Sequence, residues 1–288
     1  KPTKQTKALI KLIDKTKPSI VYSLHNSSFS GAYFLQTKEL DKTHLDAIEM
    51  TCKKLSIPLH KGGPEVPFAK EFRPAFYKLF DIKEEYDFLE GVKQDPLKRL
   101  IGGSSSATYA KSKNKNSFSL VCEIPYLYDK SLSDSRLSKV KKIDALKMQL
   151  SDNETVKESI VSAMKTAGLN KKSLFYKLNK ENLKIVSGLI ASQKAMMTKV
   201  PDGCVTNAEL FHSKVIHVFY RTLFLGELRR LLLDSSQTVK MKQAIKELEQ
   251  VINRRIAFVN KHSDYRVIPI TSLVKFQIIY LVEALKRL

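Results

Sequence analysis

A histidine and a glutamate are the groups in this sequence best placed to do chemistry. His25 follows the apolar run 20–24 (Ile-Val-Tyr-Ser-Leu) and precedes Asn26-Ser27-Ser28, so an imidazole is offered where a buried strand gives way to a loop of small residues. A ring there serves either as a satisfied structural group or as a metal ligand. Glu123 follows residues 117–122, whose polar and apolar side chains alternate as in a half-buried strand. A carboxylate at that strand's end costs burial energy unless it is paired or reacts, and α/β folds place their sites at strand ends.

Other reactive side chains carry less. His60 and Glu65 lie in the Gly- and Pro-rich stretch 57–74, which reads as an ordered surface loop able to line a cleft. Arg73 and Arg99 can each grip a carboxylate in a bidentate pair, or serve as surface ion-pair partners. Ser162-Ala163-Met164-Lys165 matches a Ser-x-x-Lys pattern that a chain rich in Ser and Lys produces by chance. His212 and His217 diverge around a helix axis and are read as packing residues. The run 102–106 (Gly-Gly-Ser-Ser-Ser) lacks the Lys-Ser/Thr ending of a phosphate loop.

The elements that must position His25 and Glu123 follow from periodicity. Leu9, Leu12 and Ile13 share a helical face, and Pro18 separates that helix from the strand 20–24. This run is apolar on both faces, as expected at the centre of a sheet covered by helices. A second strand over 31–35 and a helix carrying Leu45, Ile48, Cys52 and Leu55 follow. After Ser131 the period is helical. Met241, Ile245, Leu248, Ile252, Ile256 and Val259 form one stripe, and Val274, Ile278, Leu281, Leu285 and Leu288 another. The expectation is a mixed-sheet α/β domain over 1–133 and a basic all-helical extension over 134–288.

Composition narrows the class. With 288 residues, 43% of them hydrophobic, the chain can bury one or two cores. No apolar run approaches the roughly 18 residues that span a bilayer, so no membrane partner is expected. Cys52, Cys122 and Cys204 are odd in number and sit among apolar or helical neighbours, which fits buried thiols and a cytoplasmic location. The formal charge of +21 is mostly Lys spread over both halves. Sequence-specific nucleic-acid readers concentrate Arg and exposed aromatic residues, so nucleic acid is not expected as the partner.

The two strand-borne groups acquire a joint meaning through family resemblance. Ser23-Leu24-His25 resembles the Ser-x-His strand end that supplies the third zinc ligand in carboxypeptidase A-like zinc metallopeptidases. In that family a Gly-Gly-Ser element precedes a short helical turn and a strand ending in the catalytic glutamate. Here the counterparts are Gly102-Gly103-Ser104, Tyr109-Ala110 and Phe118-Ser119-Leu120-Val121-Cys122-Glu123. The resemblance spans about residues 4–130. It implies one zinc ion with His25 as ligand, Glu123 as general base and acid, and a peptide or amide substrate. Tyr109 in the matching stretch and, from residue type and position alone, Arg99, His60 and Glu65 are the candidate substrate contacts, while the family's substrate-facing Tyr just before Gly-Gly has no counterpart in the stretch 98–101.

The family's His-x-x-Glu motif has no counterpart, because no histidine here has Glu three residues later, and the family's Asn-Arg pair is missing too. The remaining zinc ligands are therefore expected in an upstream segment or a protein partner. The rival readings are a catalytically inactive peptidase-like binding or assembly protein and, behind it, a basic nucleic-acid-binding module. A shared zinc-water site requires His25 and the Glu123 carboxylate on one side of the sheet, within about 10 Å of each other.

Overall fold

β-Branched and aromatic residues at 20–22 and 118–121 favour extended chain, and these segments become the two long strands of a mixed sheet. The computed structural model describes residues 2–61, 66, 68–91, 95–100, 103–198 and 200–287. In chain order the first elements are α1 (Lys4–Thr16), β1 (Ile20–Phe29), β2 (Tyr33–Gln36), α2 (Lys42–Lys54), β3 (Glu71–Arg73) and β4 (Phe76–Lys78). Next come α3 (Ile82–Gly91), α4 (Pro96–Arg99), α5 (Ser106–Lys113) and β5 (Phe118–Tyr128). A 3-10 turn (Lys130–Ser133) then leads to β6 (Leu137–Lys141), α6 (Lys142–Met164), α7 (Leu174–Met197), β7 (Cys204–Thr206) and α8 (Asn207–Phe211). A π turn (His212–Ile216) opens α9 (His217–Leu233), followed by α10 (Val239–His262), β8 (Arg266–Val267) and α11 (Ile270–Leu285).

The chain forms two compact units. The first runs to Tyr128 and takes up the chain again from Arg266; the second is Asp129–Tyr265. In the first unit the strand order is β1-β5-β2-β4-β3, with β8 pairing the far end of β5. β1 is parallel to β5, β2 antiparallel to β5 and parallel to β4, and β3 antiparallel to β4. One face carries α2 and α11. There Phe34, Leu120 and Cys122 share a buried core with Ile48, Cys52, Phe276 and Tyr280. The other face carries α5, on which α1 rests.

The second unit is a helical bundle of α6, α7, α9 and α10 around Val156, Ile160, Val186, Leu225, Leu228 and Met241. A ladder of polar side chains crosses its interior. Asp152 accepts two hydrogen bonds from Arg255, at 2.6 and 2.9 Å, and Arg221 donates to Asn153, which donates in turn to Gln193. Satisfied in this way, buried polar groups specify how the helices align.

Several expectations are corrected. The region 134–288 is not all-helical, since β6 and β7 pair as an antiparallel ribbon and β8 joins the large sheet. Its last segment also leaves the bundle, because the aromatic face of α11 finds a better partner in the sheet core, so the 133/134 division does not describe the packing. On α11 the buried face is Leu273, Phe276, Gln277, Tyr280 and Ala284, whereas Val274, Ile278 and Leu285 are 48%, 59% and 52% exposed. Leu288 lies outside the described residues. On α1 only Ile13 of the anticipated stripe is buried. β1 is an edge strand rather than a central one. Among the described residues no helix is long and apolar enough to cross a membrane.

Candidate active site

β1 continues five residues beyond the apolar run expected to end at Leu24, so His25 sits in mid-strand rather than at a strand end. The physical reason is pairing: β5 runs alongside through Ser27↔Pro125 and Phe29↔Leu127, and Phe29 anchors the far end in the core. Glu123 likewise lies inside β5, not at its terminus. Parallel register makes His25 and Glu123 direct neighbours, and antiparallel register makes Tyr33 of β2 the neighbour of Glu123 on its other side. Residues paired in register project to the same face, so a row His25, Glu123, Tyr33 runs across three strands on the α5 side of the sheet.

Within this row the His25 Nδ1 and Glu123 Oε1 atoms are 2.7 Å apart. An ionised carboxylate only accepts, so Nδ1 carries the shared proton and a neutral His25 ring presents its Nε2 lone pair away from Glu123. Exposure divides the pair: the His25 side chain is 54% exposed and that of Glu123 13%. Glu123 is shielded by strands on both sides, whereas among the described residues His25 has a strand, β5, on one side only. The Gln277 side-chain amide of α11 donates to the His25 carbonyl at 3.4 Å, and Asn26 donates to the Ile124 carbonyl at 3.2 Å. Both bonds hold the backbone that carries the ring.

The opposite face of the same strands is buried at Cys122 and largely so at Tyr22. Burial pushes the Cys122 thiol and the Tyr22 phenol well above their ordinary pKa values, so neither ionises near neutrality. Tyr22 donates to the Gln277 carbonyl at 2.9 Å. Ionisable chemistry on this part of the sheet is thereby confined to the His25–Glu123 side.

Loop 57–61 brings a second imidazole to the row. The Ala32 amide donates to the Pro58 carbonyl at 2.7 Å, and the His60 amide donates back to Ala32 at 2.8 Å. A side chain at residue 31 would not fit, because a Cβ on Gly31 would lie 2.4 Å from the His60 nitrogen. Clamped in this way, the His60 ring lies against Tyr33, with ring centres 5.6 Å apart.

No protein-family model, curated protein or solved structure matches this chain. The site is therefore read from its own geometry. Tyr109 lies on α5, where its hydroxyl donates to Asp14 of α1 at 2.9 Å and Lys113 stands over its ring. Arg73 is bound to Asp46 and Glu49 of α2. Arg99 ends α4 and its side chain lies outside the described residues, as do Glu65 and Gly102. Gly103 takes φ +78°, a conformation open to glycine, just before Ser105 caps α5 by accepting from the Thr108 amide at 3.2 Å. Sequence reasoning gave no role to Tyr33 or Gln277. Pairing β2 antiparallel to β5 would have found the first, while nothing local signals the second.

Proposed function

We propose that the first unit is a carboxypeptidase A-like hydrolase module that acts on peptide or amide bonds with one zinc ion, and that His25 and Glu123 are its working groups. The observation that carries this reading is the 2.7 Å contact between His25 Nδ1 and Glu123 Oε1 on neighbouring parallel strands. A carboxylate on one ring nitrogen is the arrangement that fixes the tautomer of a metal-binding histidine and raises the basicity of the other nitrogen.

The residues present fit one corner of a catalytic zinc site. Such sites use three protein ligands, and among the described residues no group of three or more His, Cys, Asp or Glu side chains is placed to hold a metal. The reading therefore needs two further ligands from outside the described residues. A zinc ion bound there would supply Lewis acidity and a water of lowered pKa. Glu123 orients His25 through the Nδ1–Oε1 contact, and its second oxygen, Oε2, would accept the proton of the attacking water and return it to the leaving amine. Its shielded position limits hydration of the carboxylate and keeps the proton local. Tyr33 and His60, side by side next to Glu123, form the wall against which a substrate would lie.

The test is elemental zinc analysis and peptide turnover on the protein made from its complete reading frame. His25→Ala should lose the zinc. Glu123→Gln keeps an oxygen acceptor for Nδ1, so it should hold zinc while turnover falls by about a thousandfold, as expected for loss of a general base. Stoichiometric zinc in His25→Ala, or unchanged turnover in Glu123→Gln, rules the reading out.

A further inference from the structure

β1 is ten residues long and ends the sheet. The Phe118 amide donates to the Ser19 carbonyl at 2.8 Å, and the register continues from Ile20↔Phe118 without a shift to Ser27↔Pro125. Odd-numbered residues of β1 therefore turn their backbone groups to β5. Tyr22, Leu24 and Asn26 turn theirs outward, and no strand among the described residues meets them. A long, regular edge of this kind is a template for another strand.

On the α11 face the helical layer exposes apolar surface next to it. Under the sheet, α11 meets β1 through Gln277, and the neighbouring Val274 and Ile278 are 48% and 59% exposed on the flank away from α2. Leu24 itself is 59% exposed at the edge.

We propose that this edge is a docking site for an extended segment of another polypeptide, apolar on the face it turns to α11 and flanked by acidic residues. Hydrogen bonding along the edge selects extended backbone, and the apolar flank of α11 selects Val, Ile or Leu at the alternate positions that face it. Charge selects the flanks. The whole chain carries +21, and Lys275, beside Val274 on the exposed flank of α11, has no ion pair among the described residues. A second copy of this chain fits poorly. Antiparallel pairing of two β1 strands about Leu24 would set Ser28 opposite Ile20, placing Asn26 and Ser28 over the apolar flank of α11, between two molecules that each carry +21. The docking site stands whether or not His25 binds zinc.

The probe is a synthetic peptide of β1's length, rich in Val, Ile and Thr and bracketed by glutamates, added to the whole chain while amide exchange is followed by NMR. Exchange at Tyr22, Leu24 and Asn26 should slow on addition. Leu24→Pro removes only an outward N–H, a change that edge strands tolerate, and Ile278→Glu alters only the exposed stripe. Each should weaken peptide binding by about tenfold or more while leaving the circular-dichroism spectrum unchanged. If Leu24→Pro does not fold, Ile278→Glu decides alone. Full binding to the folded variants, no slowing at peptide concentrations of about 1 mM, or slowing that grows with protein concentration without peptide would each overturn the proposal.

Discussion

His217 should make the helical bundle sensitive to mild acid, by an amount that can be worked out. It opens α9 beside the π turn, is 7% exposed, and has its Nε2 atom 3.4 Å from an Asp152 oxygen already engaged by Arg255. Burial, reinforced by the nearby Arg221, His212 and Arg255 and opposed by Asp152, lowers its pKa from 6.5 to about 4. The ring is thus neutral in the fold, and the unfolded chain takes up a proton first as the pH falls. The stability it contributes is complete above 6.5 and is lost progressively down to 4. Between pH 7 and pH 5 the linkage relation puts that loss at about 2 kcal/mol. With a urea dependence of about 2 kcal/mol per molar, the bundle's unfolding midpoint should drop by roughly 1 M. Buried His44, whose pKa is also lowered by burial, adds a loss of the same sign in the first unit. His217→Gln isolates the effect, because it keeps the Asp152–Arg255 pair and does not titrate. The far-ultraviolet circular-dichroism midpoint should fall less between pH 7 and pH 5 in the variant than in the parent. Equal falls would refute the assignment of a buried, neutral His217.

Gly31→Ala should destabilise the protein by about 1–3 kcal/mol in a thermal melt, since the new Cβ meets backbone of Leu59 and His60 that cannot step aside. Gly188→Ala in α7 is the control: nothing lies within 4 Å of its Cβ, and relief of the glycine penalty should raise stability by up to about 1 kcal/mol. Thiol labelling of the native protein should modify Cys204 alone at an appreciable rate, because Cys52 and Cys122 are buried and burial pushes both thiols up. Rapid labelling of all three before denaturant is added would contradict the packing.

Legibility in the sequence follows how local each cause is. Residues 20–24 and 117–122 announce strands because β-branched and aromatic residues cluster there, and α10 announces its buried face through Met241, Ile245, Leu248 and Val259. α11 defeats the same method. It is apolar nearly all round, so two stripes at helical spacing compete, and the buried one includes a polar residue, Gln277, whose carbonyl accepts from Tyr22. β7 and β8 hold three and two residues, too few for a period to register. The contact between His25 and Glu123 joins positions 98 apart, and nothing in either segment alone predicts it; resemblance to a family was needed to suggest it.

Strand order is the least local property of all, and here it determines how the two candidate groups differ. An apolar run such as 20–24 reads the same at the centre of a sheet as at an edge, because side-chain pattern reports what covers the faces and not what lies alongside. Two strands flank Glu123 and one flanks His25, so the carboxylate is 13% exposed and the imidazole 54%. A strand added to β1 would shield His25 as β2 shields Glu123 and would cover the side of the pair that no strand among the described residues meets. Strand docking and the chemistry of the pair would then be coupled: peptide bound at β1 should slow solvent exchange at the His25 ring, whereas Glu123, already flanked by β5's two neighbours, should respond little.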